Sequence, residues 1–206
     1  MVTNNFDMPL VAILRGLALA DAPAIGAALF DAGFRLLEVP LNRPGALEAI
    51  GILAALAPPG ALVGGGTMLS VDQVDAVYAA GGRLLVAPNC DTAVIRRGAE
   101  LGMLCAPGVA TPTEAFAALA VGAHALKIFP AEMVGTAGLR AIRTVLPPDT
   151  PLWPVGGVTP DSMAAWVRAG ATGFGIGGAL FQPGVTPDEI ARRARAFVKA
   201  WSNAAA

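Results

Sequence analysis

The sequence predicts an α/β fold, a (β/α)8 TIM barrel made of one domain that spans residues 1–206. Two observations predict it. Short apolar runs alternate with longer alanine-rich segments at intervals of about 25 residues, and the chain contains eight such runs. Parallel strands joined by helices make right-handed crossovers, and eight of them close a barrel with its active site at the carboxyl ends of the strands. Because no polar linker or shift in composition interrupts the 206 residues, we expect a single domain.

The apolar runs are the predicted strands. They cover residues 10–14, 34–41, 61–67, 84–88, 103–107, 125–129, 152–155 and 172–176. An open, doubly wound sheet is the competing arrangement for such a pattern. That arrangement would normally carry a glycine-rich dinucleotide fingerprint after its first strand, and residues 14–17 (Leu-Arg-Gly-Leu) have no such motif. The barrel is therefore favoured.

Helices are predicted between the strands from their start and stop signals. Ser70 with Gln73 and Thr111 with Glu114 fit capping boxes, and residues 159–161 and 186–189 repeat a threonine–proline–acid start. Glycines mark the helix ends, because a left-handed residue commonly closes a helix. These stops are Gly33, Gly81, Gly102, Gly122 and Gly170.

Composition limits the classes of function. Hydrophobic residues make up 55% of the chain and charged residues 14%, against the usual charged share of about 25%, so we expect a large core and a buried subunit interface. The net charge of −1 gives no case for binding nucleic acid or an anionic membrane. The uncharged stretches 49–71 and 169–187 are interrupted by proline and glycine, so neither suits a membrane span. Two cysteines and an N-terminus without a signal-peptide pattern predict a soluble, cytoplasmic protein.

Lys127 and Glu38 are the candidate catalytic residues. Lys127 is one of only two lysines and lies between Leu126 and Ile128 in an apolar strand. Because strand side chains alternate between faces, Lys127 and Glu38 both face the barrel interior if their aliphatic neighbours face the helices. Burial favours the neutral amine, which is a nucleophile toward carbonyl groups. A buried ion pair is the structural alternative, and both interpretations place the two side chains close together.

Glycine pairs follow the last two predicted strands, at Gly156-Gly157 and Gly177-Gly178. The loops after strands seven and eight of this fold often bind phosphate, and the first pair leads directly to a helix start. Tight turns use glycine pairs as well. Arg15 closes the first strand and could hold a carboxylate or phosphate, or simply lie on the surface. Residues 64–67 (Gly-Gly-Gly-Thr) offer backbone donors and the Thr67 hydroxyl for a second anion.

Other reactive residue types carry less weight. The single histidine, His124, cannot supply a multi-histidine metal site and lies at the opposite end of its strand, so we interpret it as structural. Cys90 and Cys105 lack a histidine partner nearby in sequence, which argues against a cysteine nucleophile. No metal-ligand cluster or nucleotide motif is present, so neither a metal nor a cofactor is expected.

Five segments together resemble a known family. Residues 12–16 (AILRG), 37–42 (LEVPLN), 64–67 (GGGT), 126–130 (LKIFP) and 155–158 (VGGV) are similar, in order, to the class I aldolases of 2-keto-3-deoxy-6-phospho sugar acids. The resemblance implies a homotrimeric (β/α)8 enzyme without a cofactor, in which Lys127 forms a Schiff base and Glu38 shuttles protons. It also implies binding of the pyruvate carboxylate near Thr67, substrate contact by Arg15, and phosphate binding by Gly156, Gly157, Gly177 and Gly178.

Within that family the residues resemble the phosphogalactonate branch more than the epimeric phosphogluconate branch. The latter typically has threonine and arginine where this chain has Pro40 and Asn42, and threonine where it has Val155. Arg43 lies next to the missing arginine and could replace it. Gly178 departs from the galactonate branch, which often has serine there; that removes one hydroxyl donor and keeps a backbone N–H.

Two other classes of function stay open from the residues alone. One is a non-catalytic barrel that binds phosphorylated sugars, in which Glu38 and Lys127 form only an ion pair. The other is a different phosphate-binding barrel enzyme, such as an isomerase or a thiamine-phosphate-synthase-like protein, in which the inward lysine would have no role.

Overall fold

The computed structural model describes residues 8–205, and in this range strands and helices alternate along the chain. The strands are β1 (Leu10–Ile13), β2 (Leu36–Pro40), β3 (Leu62–Gly66), β4 (Leu84–Val86), β5 (Leu104–Ala106), β6 (Gly108–Val109), β7 (Leu126–Ile128), β8 (Leu152–Pro154) and β9 (Phe174–Ile176). The helices are α1 (Ala22–Asp31), α2 (Ala46–Leu56), α3 (Val71–Ala79), α4 (Thr92–Glu100), α5 (Pro112–Ala120), α6 (Ala131–Arg143), α7 (Pro160–Arg168) and α8 (Pro187–Ala205).

All paired strands are parallel, and they form two sheets. Six strands form one sheet in the order β5-β4-β3-β2-β1-β9, and β6-β7-β8 form the other. Sequential strands lie side by side in most of this order, with a helix between them, as right-handed crossovers require. The predicted α/β class is therefore confirmed. The carboxyl ends of the strands lie at the same end of the fold, where polar residues are expected to meet.

The fifth predicted strand is divided into two strands in the structure. Residues 103–107 were expected to form one strand, and the observed strands are β5 and β6, separated by Pro107. Proline has no N–H for a sheet ladder, so the strand is interrupted there. Its carbonyl still accepts a hydrogen bond of 2.9 Å from the backbone N–H of Lys127. Consequently β5 pairs with one sheet and β6 with the other.

The sheets separate two apolar layers. The larger layer packs between the strands and the helices and contains Leu37, Val39, Leu126 and Ile128. A smaller cluster lies on the opposite face of the strands, which we call the inner face. It consists of Val11, Leu36, Leu84, Val86, Leu104, Ala106, Ala125 and Trp153. Side chains that alternate with the first set along a strand therefore lie on the inner face.

The helix boundaries follow the predicted signals closely. All five predicted glycine stops, Gly33, Gly81, Gly102, Gly122 and Gly170, adopt positive φ angles that suit glycine. Thr111 and Glu114 form the predicted capping box. Ser70 accepts a hydrogen bond from the Gln73 N–H, but the Gln73 side chain accepts from Leu69 rather than from Ser70, so this box is incomplete.

None of the helices in residues 8–205 combines the length and apolar character needed to cross a membrane. The expectation that the chain has no signal peptide concerns its N-terminus, and residues 1–7 lie outside the described part of the chain.

Candidate active site

Lys127 lies on the inner face, in the middle of β7. Its neighbours Leu126 and Ile128 pack toward the helices, and only 7% of Lys127 is exposed. It lines a narrow space on the inner face with Val11, Ile13, Val86, Ala106, Trp153, Val155 and Gly175. The residues around the Lys127 side chain are therefore almost entirely apolar. The inward direction of this side chain is the one that the alternation of residues in the strand predicted.

Burial lowers the pKa of the Lys127 amine, since a charged ammonium is disfavoured away from water. The Glu38 carboxylate opposes this shift and the Arg15 guanidinium adds to it. The Lys127 nitrogen lies 4.7 Å from the centre of the ring of Phe129, the residue that directly follows β7. The other lysine, Lys199, is exposed on α8. Of the two amines, Lys127 is the one suited to act as a neutral nucleophile.

Glu38 lies on the inner face of β2 and is 2% exposed. Burial raises its pKa from 4.5 to about 7, while the Lys127 and Arg15 charges lower it. Its Oε2 atom makes no hydrogen bond within the described chain. A buried carboxylate oxygen without a partner is costly. Because its pKa is about 7, the carboxyl group is close to half ionised near neutral pH. Its Oε2 atom is free to exchange a proton with a ligand or water.

Lys127 and Glu38 influence each other without forming an ion pair. Each charge shifts the pKa of the other group, so the two are neighbours. Among the ion pairs of residues 8–205, none joins them within 4.0 Å. This spacing does not suit the interpretation in which the two residues serve only to neutralise each other.

The three glycines of β3 are explained by close packing inside the protein. A methyl group on Gly64 would overlap the backbone of Leu84, and one on Gly65 would lie 2.8 Å from Val77 and 2.9 Å from Met68. A methyl group on Gly66 would overlap the Glu38 carboxylate, with Oε1 2.8 Å away. The sequence suggested that a ligand approaches here. The structure gives a different reason, and Gly66 emerges as the residue that makes room for Glu38.

Thr67 follows these glycines at the carboxyl end of β3 and is half-buried. Its φ angle is 55°, in the left-handed region. A β-branched residue is rarely found there because its side chain crowds the backbone. Strained backbone of this kind persists where the surrounding structure enforces it and is often found at functional sites.

Arg15 and both glycine pairs line a single cavity at the carboxyl ends of β1, β8 and β9. The cavity has a volume of about 460 Å³. Its lining includes Arg15, Gly156, Gly157, Gly177 and Gly178, together with Val158 and Thr159 at the start of α7. Ile13, Val155 and Gly175 line both this cavity and the narrow space beside Lys127, so the two adjoin. Thr67 is not among the lining residues of either.

The cavity has the chemistry of an anion site. Gly156 and Gly157 have φ angles of 120° and 61°, which allow the chain to turn sharply into α7. The N–H groups and dipole of a helix N-terminus attract an anion, and the Arg15 guanidinium adds a cation. A phosphorylated compound can therefore lie with its anionic end in this cavity and its other end toward Lys127.

The residues set aside on sequence grounds have structural surroundings. The Nδ1 atom of His124 accepts a hydrogen bond of 3.2 Å from the Cys105 backbone N–H. Burial raises the pKa of the Cys105 thiol to about 12. Burial also raises the pKa of Cys90, and the nearby Glu114 and Asp91 charges add to this. Neither thiol is activated as a nucleophile.

Two residues at this end of the fold were not found from the sequence. The Phe129 ring lies over the Lys127 nitrogen, and the position of Phe129 two residues after Lys127 in the predicted strand 125–129 was the available signal. Glu132, in the first turn of α6, places its carboxylate against Gly156 and Gly157. The sequence contained no signal for that contact, because it joins the first turn of α6 to the turn after β8, which are distant in the chain.

Known proteins are similar to this chain in sequence and in fold over most of its length. The family model for KDPG and KHG aldolase matches residues 4–192. The 2-dehydro-3-deoxy-6-phosphogalactonate aldolase of Escherichia coli (strain K12) is 45% identical over 197 residues, which cover 96% of each protein. A solved native KDPGal structure aligns with a TM-score of 0.95 at 44% identity and covers 98% of both chains.

A more distant relative bears on the chemistry. The KDPG aldolase from Legionella pneumophila, solved with pyruvate captured at low pH as a covalent carbinolamine intermediate, has a TM-score of 0.78 and 26% identity. The alignment covers 94% of this chain and 92% of that one. With the family model matched over most of its length, the chain belongs to the KDPG and KHG aldolase family.

Proposed function

We propose that the protein is a class I aldolase that cleaves 2-dehydro-3-deoxy-6-phosphogalactonate to pyruvate and D-glyceraldehyde 3-phosphate. The observation that carries the proposal is the buried amine of Lys127, whose pKa is lowered, beside a Glu38 carboxyl with a pKa of about 7. Lowering the pKa increases the share of neutral amine, the form that attacks a ketone, and a carboxyl with a pKa of about 7 both accepts and returns a proton. Relatives with 44–45% identity bear the names of phosphogalactonate aldolases.

In the proposed mechanism the Lys127 nitrogen attacks the C2 ketone, and the resulting carbinolamine loses water to give a protonated imine. The C3–C4 bond then breaks, its electron pair moves into the C2–C3 bond, and Glu38 accepts the proton of the C4 hydroxyl. D-Glyceraldehyde 3-phosphate leaves, and an enamine remains on Lys127. Glu38 returns the proton to C3, and water hydrolyses the imine to release pyruvate and the free amine. Because the imine is the electron sink, we expect no metal or cofactor.

The two ends of the substrate are assigned to different parts of the site. We assign the phosphate to the cavity formed by the turns at Gly156-Gly157 and Gly177-Gly178, and substrate contact to Arg15, which lines the same cavity. We assign the pyruvate carboxylate to the strained loop at Thr67. With the phosphate in the cavity, the narrow space that adjoins it would bring C2 toward Lys127.

For the architecture, we propose one (β/α)8 barrel spanning residues 1–206. Two features support closure into a single eight-stranded barrel. β5 and β6 lie on either side of Pro107, so they can act as one strand shared by both sheets. At the other junction Val155, which follows β8, forms an isolated parallel bridge with Gly175 of β9.

We also propose a cytoplasmic homotrimer. Large apolar side chains remain exposed on the single chain, among them Leu69 (50%), Phe116 (47%) and Met133 (69%). Such side chains are candidates for a subunit interface. Light scattering should give a mass near three times the 20.7 kDa of the chain.

The cytoplasmic location is supported by the cysteines. Cys90 and Cys105 are both free thiols, which suits a reducing compartment.

One of the residues behind the epimer preference lines the site. Val155 borders both the cavity and the space beside Lys127, and the phosphogluconate branch typically has threonine there. One observation favours the alternative, the epimeric phosphogluconate or 4-hydroxy-2-oxoglutarate activity. A methyl group on Gly16 would lie 3.8 Å from Nε of Arg43, so this guanidinium reaches the residue beside Arg15 and could replace the missing arginine.

Pyruvate release from both epimeric phospho-sugar acids, followed with lactate dehydrogenase, tests the proposal. We expect faster turnover of the galactonate compound by the wild type and by Lys199→Ala, which removes the exposed lysine, and loss of turnover in Lys127→Ala. Equal rates with the two epimers would remove the basis for the preference. Ligand-dependent stabilisation without turnover of either would instead indicate a non-catalytic binding protein.

A further inference from the structure

Glu132 lies beside the cavity assigned to phosphate, and the mechanism gives it no role. It is exposed and belongs to the first turn of α6, directly after β7. The backbone of this turn is fixed to the end of β8: the Ala131 N–H donates a 2.9 Å hydrogen bond to the carbonyl of Val155. A break in the helix at Gly135, with φ 66° and ψ 169°, separates this turn from the rest of α6.

The Glu132 carboxylate lies directly on the glycine turn. A methyl group on Gly156 would be 2.8 Å from Cδ and 3.0 Å from Oε1 of Glu132, and one on Gly157 would be 3.1 Å from Oε1. Both glycines also line the cavity. The glycine pair therefore makes room for a carboxylate of the protein itself, in addition to any ligand.

Nothing in residues 8–205 holds this carboxylate by a hydrogen bond or an ion pair. It lies near the N-terminus of α7, where partial positive charge attracts anions. An exposed glutamate without such partners is free to change its rotamer when another anion arrives. A phosphate in the cavity would meet a like charge at the same two glycines, and like charges a few ångströms apart repel.

We propose that Glu132 is an internal anion of the phosphate site, where its carboxylate occupies the glycine turn in the free protein and weakens binding of the substrate phosphate. This inference rests on the assignment of the cavity to phosphate in the proposed function. Glu132 touches no reacting atom and sets affinity only at the phosphate end. Removing its charge should therefore lower KM for the phosphorylated substrate and leave kcat unchanged.

The expected size of the effect follows from Coulomb's law for two anions placed at the same glycine turn. Two unit charges about 5 Å apart at an effective dielectric constant of about 40 change an affinity by roughly 10-fold. Glu132→Gln keeps the shape of the side chain and removes this repulsion. Asp161→Asn is the matched control, because Asp161 is an exposed acid in the first turn of α7 that lines a different surface, beside Lys199. Its charge is more strongly screened from the glycine turn by solvent ions.

The test is direct binding of inorganic phosphate, measured by calorimetry at one fixed pH and low ionic strength, to the full-length wild type, Glu132→Gln, Glu132→Ala and Asp161→Asn. We expect Kd to fall about 10-fold in both Glu132 variants and to change less than about 2-fold in Asp161→Asn. An unchanged or higher Kd in the Glu132 variants overturns the inference while leaving the phosphate site intact. Absence of phosphate binding by every protein overturns the phosphate site and the inference together.

Trapping of pyruvate on Lys127 shows whether a variant still forms the imine, independently of its affinity for phosphate. Borohydride reduction in the presence of pyruvate should modify all four proteins to the same extent, because pyruvate carries no phosphate. With trapping intact, a change in phosphate affinity is assigned to Glu132 alone. Loss of trapping in both Glu132 variants would contradict a role confined to the phosphate end.

Discussion

Replacing Gly66 by alanine should displace the Glu38 carboxylate without altering the backbone. Gly66 does not adopt a positive φ angle, so alanine fits the strand conformation. Its methyl group, however, would overlap Oε2 of Glu38 and lie 2.8 Å from Oε1. Because Glu38 is 2% exposed, it has little free space into which it can move. The side chain must rotate away from the position that the proposed proton transfer needs.

The size of the loss follows from the role assigned to Glu38. General acid–base catalysis typically contributes about 100- to 10,000-fold, which corresponds to about 3–5 kcal/mol of activation free energy. We expect kcat of Gly66→Ala to fall by at least about 100-fold. Overpacking of a core should also lower the free energy of unfolding by about 1–3 kcal/mol.

Gly65→Ala is the control for that loss of stability. Its methyl group would meet the side chains of Val77 and Met68 on the other face of the same strand, at 2.8 and 2.9 Å. It should lower Tm to a similar degree and retain most of kcat. Turnover is measured by pyruvate release, and unfolding by circular dichroism. A Gly66→Ala enzyme with kcat within about threefold of the wild type would refute a proton-transfer role for Glu38 in its observed position.

Three further predictions follow from the site. Activity should rise with pH through about 7 as Glu38 ionises, and Glu38→Gln should lose this rise. Because the pKa of Glu38 is raised in the folded state, the stability that its neutral form provides is full below about pH 4.5 and is lost as pH rises through about 7, by up to about 3 kcal/mol. Denaturation of the wild type and Glu38→Gln across this pH range measures that loss. Gly178→Ser should lower KM for the phosphorylated substrate by about 3- to 10-fold, since an added Cβ meets no atom within 4 Å; an increase would argue against a phosphate turn there. EDTA should leave turnover unchanged, whereas a loss that a divalent ion restores would indicate metal-dependent chemistry.

Much of this arrangement could be predicted from short stretches of sequence. The faces of β2 and β7 followed from the alternation of Glu38 and Lys127 with aliphatic neighbours, which depends only on strand geometry. The helix stops followed from glycine because a positive φ angle is a local requirement. The meeting of Arg15 with the glycine pairs required one further step, the rule that parallel strands place their carboxyl ends together.

The features that escaped prediction depend on contacts between distant parts of the chain. Gly66 was interpreted as a place where a ligand approaches, because the position of the Glu38 side chain across the sheet cannot be deduced from β3 alone. The pairing of β5 with one sheet and of β6 with the other depends on the positions of strands from distant parts of the chain. The left-handed φ angle of Thr67 contradicts its residue type. Only tertiary packing can enforce such a conformation.

The measurement that tests the central claim most directly is chemical trapping on the wild-type protein. Incubation with pyruvate and borohydride, followed by digestion and mass spectrometry, reports which amine forms an imine. A single reduced pyruvate adduct on Lys127 is the expected result, because this amine is buried and its pKa is lowered. An adduct on the exposed Lys199, or no adduct on either lysine, would contradict the proposal that Lys127 is the nucleophile.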